Sequence, residues 1–470
     1  MQLSRETKRQ SPNIIFAVLL IGCMIGSFLQ TALATALPVI MKDFQISAPV
    51  GQWLTSAYSL AMGIMVPATA FLIRRFPARN LFLIFMAIFT AGSSVSAAAF
   101  SFPVLMVGRI LQALGCGVVL SLTQVVIVTI FPMEKRGAMM GIYGLAVSAV
   151  PVFAPSLAGL VIDYVGWQSI FWVIAALAAL DFLVGVKAMS SPMETVRQRF
   201  DLLSMVLCTL GFCGVTLALG NLGTNSLVSV YVLLPFLVGA VSLVLFTMRQ
   251  LHMREPFLDV RTLANREFRL SVIGSMMMYA VMIAGSTLLP IYIQSMRGYT
   301  AAVSGLVMMP GSLVMALASP FVGKIYDKIG IRKLLHFGSG ALLLSCIGAC
   351  GFNDFTPLWY IILIFVLRSL SIGMFMMPLA TWGLSTIPSE RTASGTALLT
   401  SLRTIAGSIG SAGFVALMSV AVHSPNPRPQ IFGLYVSFVG ISVISAVLFL
   451  TAIIFVRKNS SAALNQEEGN

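Results

Sequence analysis

Three arginines, Arg109, Arg368 and Arg403, lie inside long apolar stretches of the sequence. A charged side chain is costly to bury in such surroundings, so each arginine is a candidate functional residue. Of the 15 Asp and Glu residues, only Asp181 has a comparable position. An unpaired buried cation costs several kcal/mol. The excess of buried positive charge therefore predicts a site for neutral or anionic molecules rather than for cations.

The sequence offers little of the chemistry that enzymes use. Its three histidines, His252, His336 and His423, lie in loops or near the ends of apolar stretches, where they cannot build an intramembrane His/Asp or zinc site. It has no Gly-x-x-x-x-Gly-Lys-Ser/Thr phosphate loop, which excludes ATP as the direct energy source. The six cysteines all lie in apolar stretches, where they act as small apolar side chains. We therefore predict no enzyme activity, no cofactor and no metal site.

Long apolar helices must position these residues. The chain is 58% hydrophobic and 9% charged, with a mean hydropathy of +0.95. A soluble domain could not hide that much apolar surface, so the composition predicts a polytopic helical membrane protein. The apolar pattern predicts fourteen spans, at residues 14–40, 52–73, 80–100, 103–131, 137–162, 168–188, 202–221, 229–248, 269–294, 302–323, 334–352, 357–387, 393–421 and 431–456.

The net charge of +14 follows from topology and does not require nucleic acid as a partner. With the N-terminus inside, most of the 29 Lys and Arg residues fall in cytoplasmic segments, as the positive-inside rule requires. The first apolar stretch follows Arg5, Lys8 and Arg9 and is too long for a signal-peptide core. We therefore expect it to be the first span and both termini to be cytoplasmic.

The fifth span is a poor helix by propensity, because Gly141, Gly144, Pro151, Pro155 and Gly159 interrupt it. Proline bends a helix, and small residues allow neighbouring helices to approach closely. Such defects persist in lipid only where protein covers them. We therefore expect this span to be kinked and buried where two packed blocks of helices meet.

Three stretches resemble signatures of the major facilitator superfamily. Residues 154–159 are similar to the Gly-Pro-x-x-Gly-Gly signature of its antiporters, with alanine at two glycine positions. Residues 166–171 resemble the Gly-Trp-Arg-x-x-Phe motif that usually follows. Residues 108–117 closely match the fourth-span motif, in which the arginine, here Arg109, is linked to proton transfer.

Other stretches resemble the fourteen-span drug:proton antiporter family within that superfamily. Residues 28–38 look like its first-span signature Leu-Asp-x-Thr followed by Ala-Leu-Pro, but Gln30 replaces the acid. An amide can form hydrogen bonds but cannot carry a proton, so Gln30 is a candidate for the substrate cavity and not for coupling. Residues 52–58 resemble the family's Trp-x-x-x-x-Tyr, which makes Tyr58 a second cavity candidate.

The resemblance also implies a cytoplasmic latch. Residues 323–333 match the superfamily's loop motif well and include Asp327 and Arg332, whereas residues 70–80 keep only its basic residues. A carboxylate at a helix end pairs with an arginine or with the N-terminus of a helix in the other half. We expect the Asp327 copy to latch the outward-facing state and the first copy to be a solvated basic loop.

The resemblance covers nearly the whole chain and implies an all-α major facilitator fold. Residues 1–190 would form an N-terminal six-helix bundle and residues 269–458 a C-terminal one. Residues 191–268 would add two further spans with cytoplasmic flanks, and residues 459–470 would be a disordered cytoplasmic tail. The two halves also share short sequence similarities. A Phe-Pro sequence follows Arg109 and an Ile-Pro sequence follows Arg368, each after about 20 residues, which supports an internal repeat.

The function implied is energised export of amphiphilic drugs across a bacterial cytoplasmic membrane by a monomer. The alternatives are a dedicated exporter of a lipid or metabolite and, from another class, a membrane enzyme or receptor. The expected cavity residues are Gln30, Tyr58, Gln112, Arg368 and Arg403, and the expected coupling or gating residues are Arg109, Asp181, Pro155, Gly159, Asp327 and Arg332.

The source of the coupling proton is open. Arg109, with Gln112 one turn away, is expected to gate or relay the proton, but arginine stays charged and cannot titrate. A carboxylic acid substrate could carry the proton itself while the buried arginines hold its anion. Transport would then survive Asp181→Asn, whereas loss of coupling in that variant would make Asp181 the coupling site.

Overall fold

A computed structural model describes residues 11–189, 201–253, 256–388, 391–422 and 427–455, and every regular element within these ranges is helical. A four-residue helix, Ala48–Gly51, and a 3₁₀ turn, Val260–Ala264, precede two of the long helices. The long helices are α1 (Pro12–Asp43), α2 (Trp53–Arg75), α3 (Ala78–Ala97), α4 (Phe102–Ile130), α5 (Met133–Val165), α6 (Gln168–Ala188), α7 (Leu202–Asn221), α8 (Val230–His252), α9 (Arg266–Pro290, continued by the π-helix Ile291–Met296), α10 and α11 (the two parts of Ala301–Ala349), α12 (Leu358–Ser385), α13 (Thr392–Val422) and α14 (Pro429–Phe455).

Gly330 separates α10 (301–329) from α11 (331–349). Its backbone has φ 74° and ψ 167°, a conformation that is essentially restricted to glycine. The chain therefore turns between two helices at this residue although helical hydrogen bonding continues on both sides. The turn lies inside the stretch that resembles the latch motif, and it places Arg332 at the start of the following helix.

A helix lies at each of the fourteen expected span positions. Among the described residues, eleven helices are long and apolar enough to cross a membrane. The expectation of an all-α polytopic membrane fold is therefore confirmed, while fourteen crossings remain a prediction. Several helices extend beyond the predicted apolar core, as α5 does by beginning at Met133, because a helix continues into the polar boundary where its backbone stays bonded.

The helix contacts divide the long helices into two sets. Helices α1–α6 pack mainly against one another, and so do α9–α14. Helices α7 and α8 form a hairpin, and α7 also contacts α2 and α13. We call the end of the molecule where α1 begins the terminal face and the opposite end the distal face.

An ion pair joins the two helices of the hairpin at the terminal face. Arg249 donates to Asp201 at 3.0 Å, and the Asp201 side chain also caps α7 by accepting from the Ser204 backbone N–H. Burial alone would raise the pKa of Asp201, but the hydrogen bonds from Arg249 and Ser204 outweigh it and lower that pKa. The contribution of Asp201 to stability is therefore present at neutral pH and is lost only as the pH falls through this lowered pKa.

The two sets touch closely near the distal face, where α5 crosses α10. Gly159 lies against the backbone of Ala301, and a Cβ at residue 159 would collide with the Ala301 carbonyl oxygen. Gly305 lies equally close to the Pro155 carbonyl oxygen, and the Ser156 hydroxyl donates to the Gly305 carbonyl at 2.9 Å. The expected close contact at Pro155 and Gly159 between two blocks of helices is confirmed.

A second contact joins α2 to α13 through small polar residues. The Ser408 hydroxyl donates to the Ser56 carbonyl at 2.7 Å, and the Ser56 hydroxyl donates back to the Ser408 carbonyl at 3.2 Å. Farther from the distal face, the Ser401 hydroxyl donates to the Gly63 carbonyl at 2.6 Å. The small side chains allow the two helices to approach closely. Each hydroxyl donates to a backbone carbonyl of the opposite helix, where little water is present.

The terminal half of α5 has looser surroundings. Among the described residues, a Cβ at Gly141 or Gly144 would have no neighbour within 4 Å, in contrast to Gly159 on the same helix. Side chains between the two sets, including Gln30 and Arg403, are partly exposed although they lie midway along their helices. Among the described residues the two sets are in close contact at the distal face, and we interpret the space beside Gln30 and Arg403 as a cleft open toward the terminal face.

The α5–α10 contact gives a prediction with an internal control. Gly159→Leu should reduce transport at least about tenfold, because its side chain has no room beside Ala301 and the distal face cannot close. Gly141→Leu on the same helix should retain near-normal transport, since no atom of the described residues lies within 4 Å of a Cβ there. Both variants should insert and unfold like the unmodified protein by thermal-shift measurement. Full activity of Gly159→Leu would refute the interface argument.

Candidate functional site

Polar side chains from both sets of helices meet midway between the faces. The Gln30 amide of α1 donates to the Tyr279 hydroxyl of α9 at 3.5 Å, which bridges the two sets. Tyr279 is nearly buried, whereas Gln30 remains partly exposed to the cleft. The amide that replaces the expected first-span acid is therefore placed to contact a molecule in the cleft.

Arg403 of α13 lies next to Tyr279. Its guanidinium carbon is 5.8 Å from the centre of the Tyr279 ring, within the range of a cation–π contact. Its Nε is buried and has no hydrogen-bond partner, and Arg403 forms no ion pair with any carboxylate in the described ranges. A buried donor without a partner is costly, so this cation would be stabilised by an acceptor that enters the cleft.

Two further residues extend the site toward the terminal face. The Gln124 amide of α4 donates to the Tyr143 hydroxyl of α5 at 3.1 Å. Both residues belong to the first set, and Tyr143 is buried. We call these five residues, Gln30, Gln124, Tyr143, Tyr279 and Arg403, the central polar site.

Gly407 on α13 explains the position of the Tyr279 ring. Gly407 is one turn beyond Arg403, and a Cβ at residue 407 would press into the Tyr279 ring. Without that Cβ, the ring packs directly on the α13 backbone. The same close approach holds α9 against α13 and places the Tyr279 ring beside the Arg403 guanidinium.

Arg109 is enclosed within the first set of helices. It donates to the Gln112 side chain at 2.8 Å and to the Leu54 carbonyl at 3.2 Å, and its guanidinium lies 4.1 Å from the Tyr58 ring centre. The Tyr58 hydroxyl in turn donates to the Gly26 carbonyl at 3.3 Å. The expected Arg109–Gln112 contact is confirmed. Tyr58 and Gln112 are fully buried, so in this conformation neither lines the cleft.

Arg368 has an equivalent role in the second set. It donates to the Val281 and Met282 carbonyls of α9 at 2.6 and 2.8 Å, and Gly285 leaves the room that its guanidinium occupies. Arg368 also borders a small, mainly apolar pocket within this set. Arg368 is 7% exposed and lies away from the central polar site, so of the three arginines in apolar stretches only the partly exposed Arg403 belongs to it.

The remaining candidates lie apart from the site. Asp181 is buried within the first set, against Gly22 of α1. Arg332 is partly buried at the start of α11, and the side chain of Asp327 lies outside the described side chains. The expected latch between Asp327 and the other half therefore stays a prediction.

Sequence reasoning missed a contact that closes the distal face. The Asp163 carboxylate at the end of α5 accepts from the backbone N–H groups of Ala301 and Ala302 at 3.2 and 2.8 Å, and it thereby caps α10 in the other set. A carboxylate at a helix N-terminus is stabilised by the free N–H groups and the helix dipole. Beside it, the Gln294 amide donates to the Thr35 carbonyl of α1 at 2.9 Å. In the sequence, Asp163 could be noticed only because acidic residues are rare in this chain.

The central polar site is suited to binding rather than to covalent chemistry. It presents a guanidinium, two amides and two phenols, together with two aromatic faces. These groups donate hydrogen bonds to anionic or neutral acceptors and stack on planar apolar groups. Among the described residues, no carboxylate lies within the site to hold a cation.

Comparisons with known proteins show the family and the fold to which this chain is similar. Residues 19–411 match the Major Facilitator Superfamily. The chain is 37% identical, over 96% of both chains, to the Uncharacterized MFS-type transporter YcnB of Bacillus subtilis strain 168. It is 35% identical to the Lincomycin resistance protein LmrB of the same organism, over 87% of this chain and 86% of that protein. A crystal structure of a POT family transporter in complex with 5-aminolevulinic acid superposes with a TM-score of 0.71 at 16% identity, covering 94% of this chain and 96% of the other.

The Asp163 cap gives a prediction about the distal face. Asp163→Ala should open that face more often, because a lost helix cap costs about 1 kcal/mol, which is roughly a fivefold change in an equilibrium. Asp163→Asn should lie between the two, since it keeps one acceptor oxygen in place of two for the Ala301 and Ala302 N–H groups. The measurement is labelling of Thr35→Cys by an impermeant maleimide added at the distal side, in a background without native cysteines. Equal labelling of all three proteins would contradict the gating role of this contact.

Proposed function

The chain belongs to the Major Facilitator Superfamily, and from this we propose that it is a secondary active exporter of small amphiphilic molecules, driven by the proton gradient. Members of this superfamily are transporters, and the likeness to a lincomycin resistance protein supports export of foreign compounds. Fourteen spans, arranged as bundles at 1–190 and 269–458 with an additional pair at 191–268, are part of this proposal.

The observation that carries the proposal is the central polar site at the boundary between the two sets of helices. Gln30, Gln124 and Tyr143 come from the first set, and Tyr279 and Arg403 come from the second. A site shared between two bundles changes its access when they rock against each other. The closed distal face and the cleft toward the terminal face correspond to one end state of that motion.

The distribution of charge supports an orientation for this motion. The basic residues concentrate in the segments at the terminal face, which the positive-inside rule assigns to the cytoplasm. Both termini would then be cytoplasmic, and the described conformation would receive substrate from the cytoplasm. The bacterial origin of both sequence relatives supports the cytoplasmic membrane of a bacterium as the location.

The unpaired guanidinium of Arg403 supports a neutral or anionic substrate. An anion would satisfy the Nε donor, and a planar apolar group would stack on Tyr279 or Tyr143. A cationic substrate would find no described carboxylate in the site and would be repelled by Arg403. We therefore propose an amphiphile with an aromatic or apolar body and an acidic or hydrogen-bond-accepting head, carried by a monomer in the bilayer.

The remaining residues would act in gating. Pro155 and Gly159 allow the close contact that seals the distal face, and the latch of Asp327 with Arg332 would seal the cytoplasmic face in the opposite state. Arg109, through Gln112 and the Leu54 carbonyl, holds α4 to α2, so that the first set moves as one body.

A resistance screen tests the proposal as a whole. Expression in an efflux-deficient bacterial host should raise tolerance to some neutral or anionic amphiphiles and lower their accumulation. Gly159→Leu serves as the inactive control. Protection against a single narrow class of compound would identify a dedicated exporter of a lipid or metabolite instead. No change in tolerance or accumulation across a broad panel would refute export.

Arg403 gives the sharpest test of substrate class. Arg403→Gln should weaken the apparent affinity for the anionic dye 8-anilinonaphthalene-1-sulfonate by roughly 10- to 100-fold, because a hydrogen bond to a charged group contributes about 1.5–3 kcal/mol. Transport of the neutral dye Nile red should change less than about threefold. Arg428→Gln, at an exposed ion pair with Asp354, is the matched control and should alter neither dye. Equal losses for both dyes would contradict anion recognition by Arg403.

A further inference from the structure

Asp181 is a buried acid that the transport site does not use. Its side chain lies on α6 and is 4% exposed, and its Oδ2 has no hydrogen-bond partner. It is about 10 Å from the terminal end of α6, at 1.5 Å per residue. An ionised carboxylate without a partner costs several kcal/mol in such a place. The described conformation therefore favours the neutral acid.

The surroundings of Asp181 come from three other helices and are apolar. A Cβ at Gly22 of α1 would lie 3.2 Å from the Asp181 Oδ2, and the Val119 side chain of α4 and the Met86 sulfur of α3 border the same position. Among the described residues, Asp181 forms no ion pair, and the nearest titratable side chain along α1 is Cys23, next to Gly22. The acid is therefore held by packing alone.

Small residues on α1 connect Asp181 to the central polar site. Gly22, Gly26 and Gln30 are four residues apart and share one face of the helix. Gly22 packs on Asp181, Gly26 packs on Cys116 and accepts from the Tyr58 hydroxyl, and Gln30 reaches Tyr279 in the other set. A change of charge at Asp181 would therefore act on the same helix that contacts the substrate site.

Polar groups also lie between Asp181 and the cleft. The Cys23 thiol and the Thr123 hydroxyl are 3.1 Å apart, and Cys23 directly follows Gly22, which packs on Asp181. Thr123 directly precedes Gln124, which donates to the Tyr143 hydroxyl. A proton could reach the carboxyl from the cleft along these groups and the water that enters when the helices move.

We propose that Asp181 is the residue that binds the coupling proton, in place of the first-span acid that Gln30 replaces. The proposal rests on the export function proposed above. A proton from water adds to Asp181 Oδ2 and gives the neutral acid, which the packed arrangement around Gly22 accepts. Release of that proton to water leaves a carboxylate, which requires α1 to move away so that water can reach it. Proton binding and the position of α1 are then coupled, and through Gln30 so is the substrate site.

Asp181→Asn removes the titratable group with little change of shape, and Asp181→Glu retains a titratable group. Asp354→Asn, at an exposed acid on the distal face, is the matched control. The first measurement needs no substrate. Infrared spectra of the purified protein in an ester-free detergent at neutral pH should show a protonated carboxyl band that shifts on H/D exchange. This band should vanish in Asp181→Asn, move in Asp181→Glu and persist in Asp354→Asn.

The second measurement uses inverted membrane vesicles with an imposed pH gradient and 8-anilinonaphthalene-1-sulfonate as the probe. Asp181→Asn should lose at least about tenfold of the gradient-driven accumulation while it still equilibrates the dye across the membrane. Asp181→Glu should keep part of the accumulation. The absence of the infrared band from the unmodified protein, its persistence in Asp181→Asn or retained accumulation by Asp181→Asn would each overturn the proposal.

The two measurements separate this proposal from the proposed function. If the unmodified protein moves neither this dye nor Nile red, the proposed substrate class fails, and the infrared comparison still decides whether Asp181 binds a proton. If transport is present but Asp181→Asn keeps its pH-driven accumulation, the function stands and the proton is carried elsewhere, such as on an acidic substrate.

Discussion

The structure depends on how buried arginines are held without carboxylates, although the Nη2 of Arg109 has no hydrogen-bond partner. Arg109 and Arg368 both donate to backbone carbonyls of a neighbouring helix, at Leu54 and at Val281 with Met282. Little water reaches the interior of a membrane protein, so loss of such a bond leaves the buried cation without an acceptor. These bonds join α4 to α2 and α12 to α9. They hold each set of helices together as a body that can move as a unit.

The contacts between the two sets are of a different kind. They consist of glycine against backbone at Gly159 and Gly305, and of paired hydroxyls at Ser56 and Ser408, with one charged cap at Asp163. Lipid supplies little hydrophobic force to hold apolar helices together, so such an interface is held by close packing and a few hydrogen bonds. An interface of this type can close tightly and still separate at modest cost, as alternation between two states requires.

Charge is distributed unevenly between the cleft and the helix interior. Arg403 is a partly exposed cation whose Nε is buried without a partner, and it lies where the two sets meet. Asp181 is the buried acid without a partner at Oδ2, and it lies behind α1. Each group is energetically unfavourable without a partner. A hydrogen-bond acceptor would stabilise Arg403, and a bound proton would neutralise Asp181. Because α1 touches both regions, the binding of one ligand can alter the affinity for the other, and this coupling is reciprocal.

The sequence alone determined the features that depend on local spacing. Apolar stretches of spanning length predicted the position of every long helix, the small residues of α5 predicted its close contact at Gly159, and a spacing of three residues placed Gln112 beside Arg109. Only the tertiary structure decided which polar residues meet. Tyr143, Tyr279 and Gln124 join Gln30 and Arg403 from five different helices, whereas Tyr58 and Gln112 turn inward, and Asp163 reaches a helix far along the chain. The hydropathy of a helix shows that it is buried in the membrane, but the rotation of its faces is set by packing against neighbours that are distant in sequence.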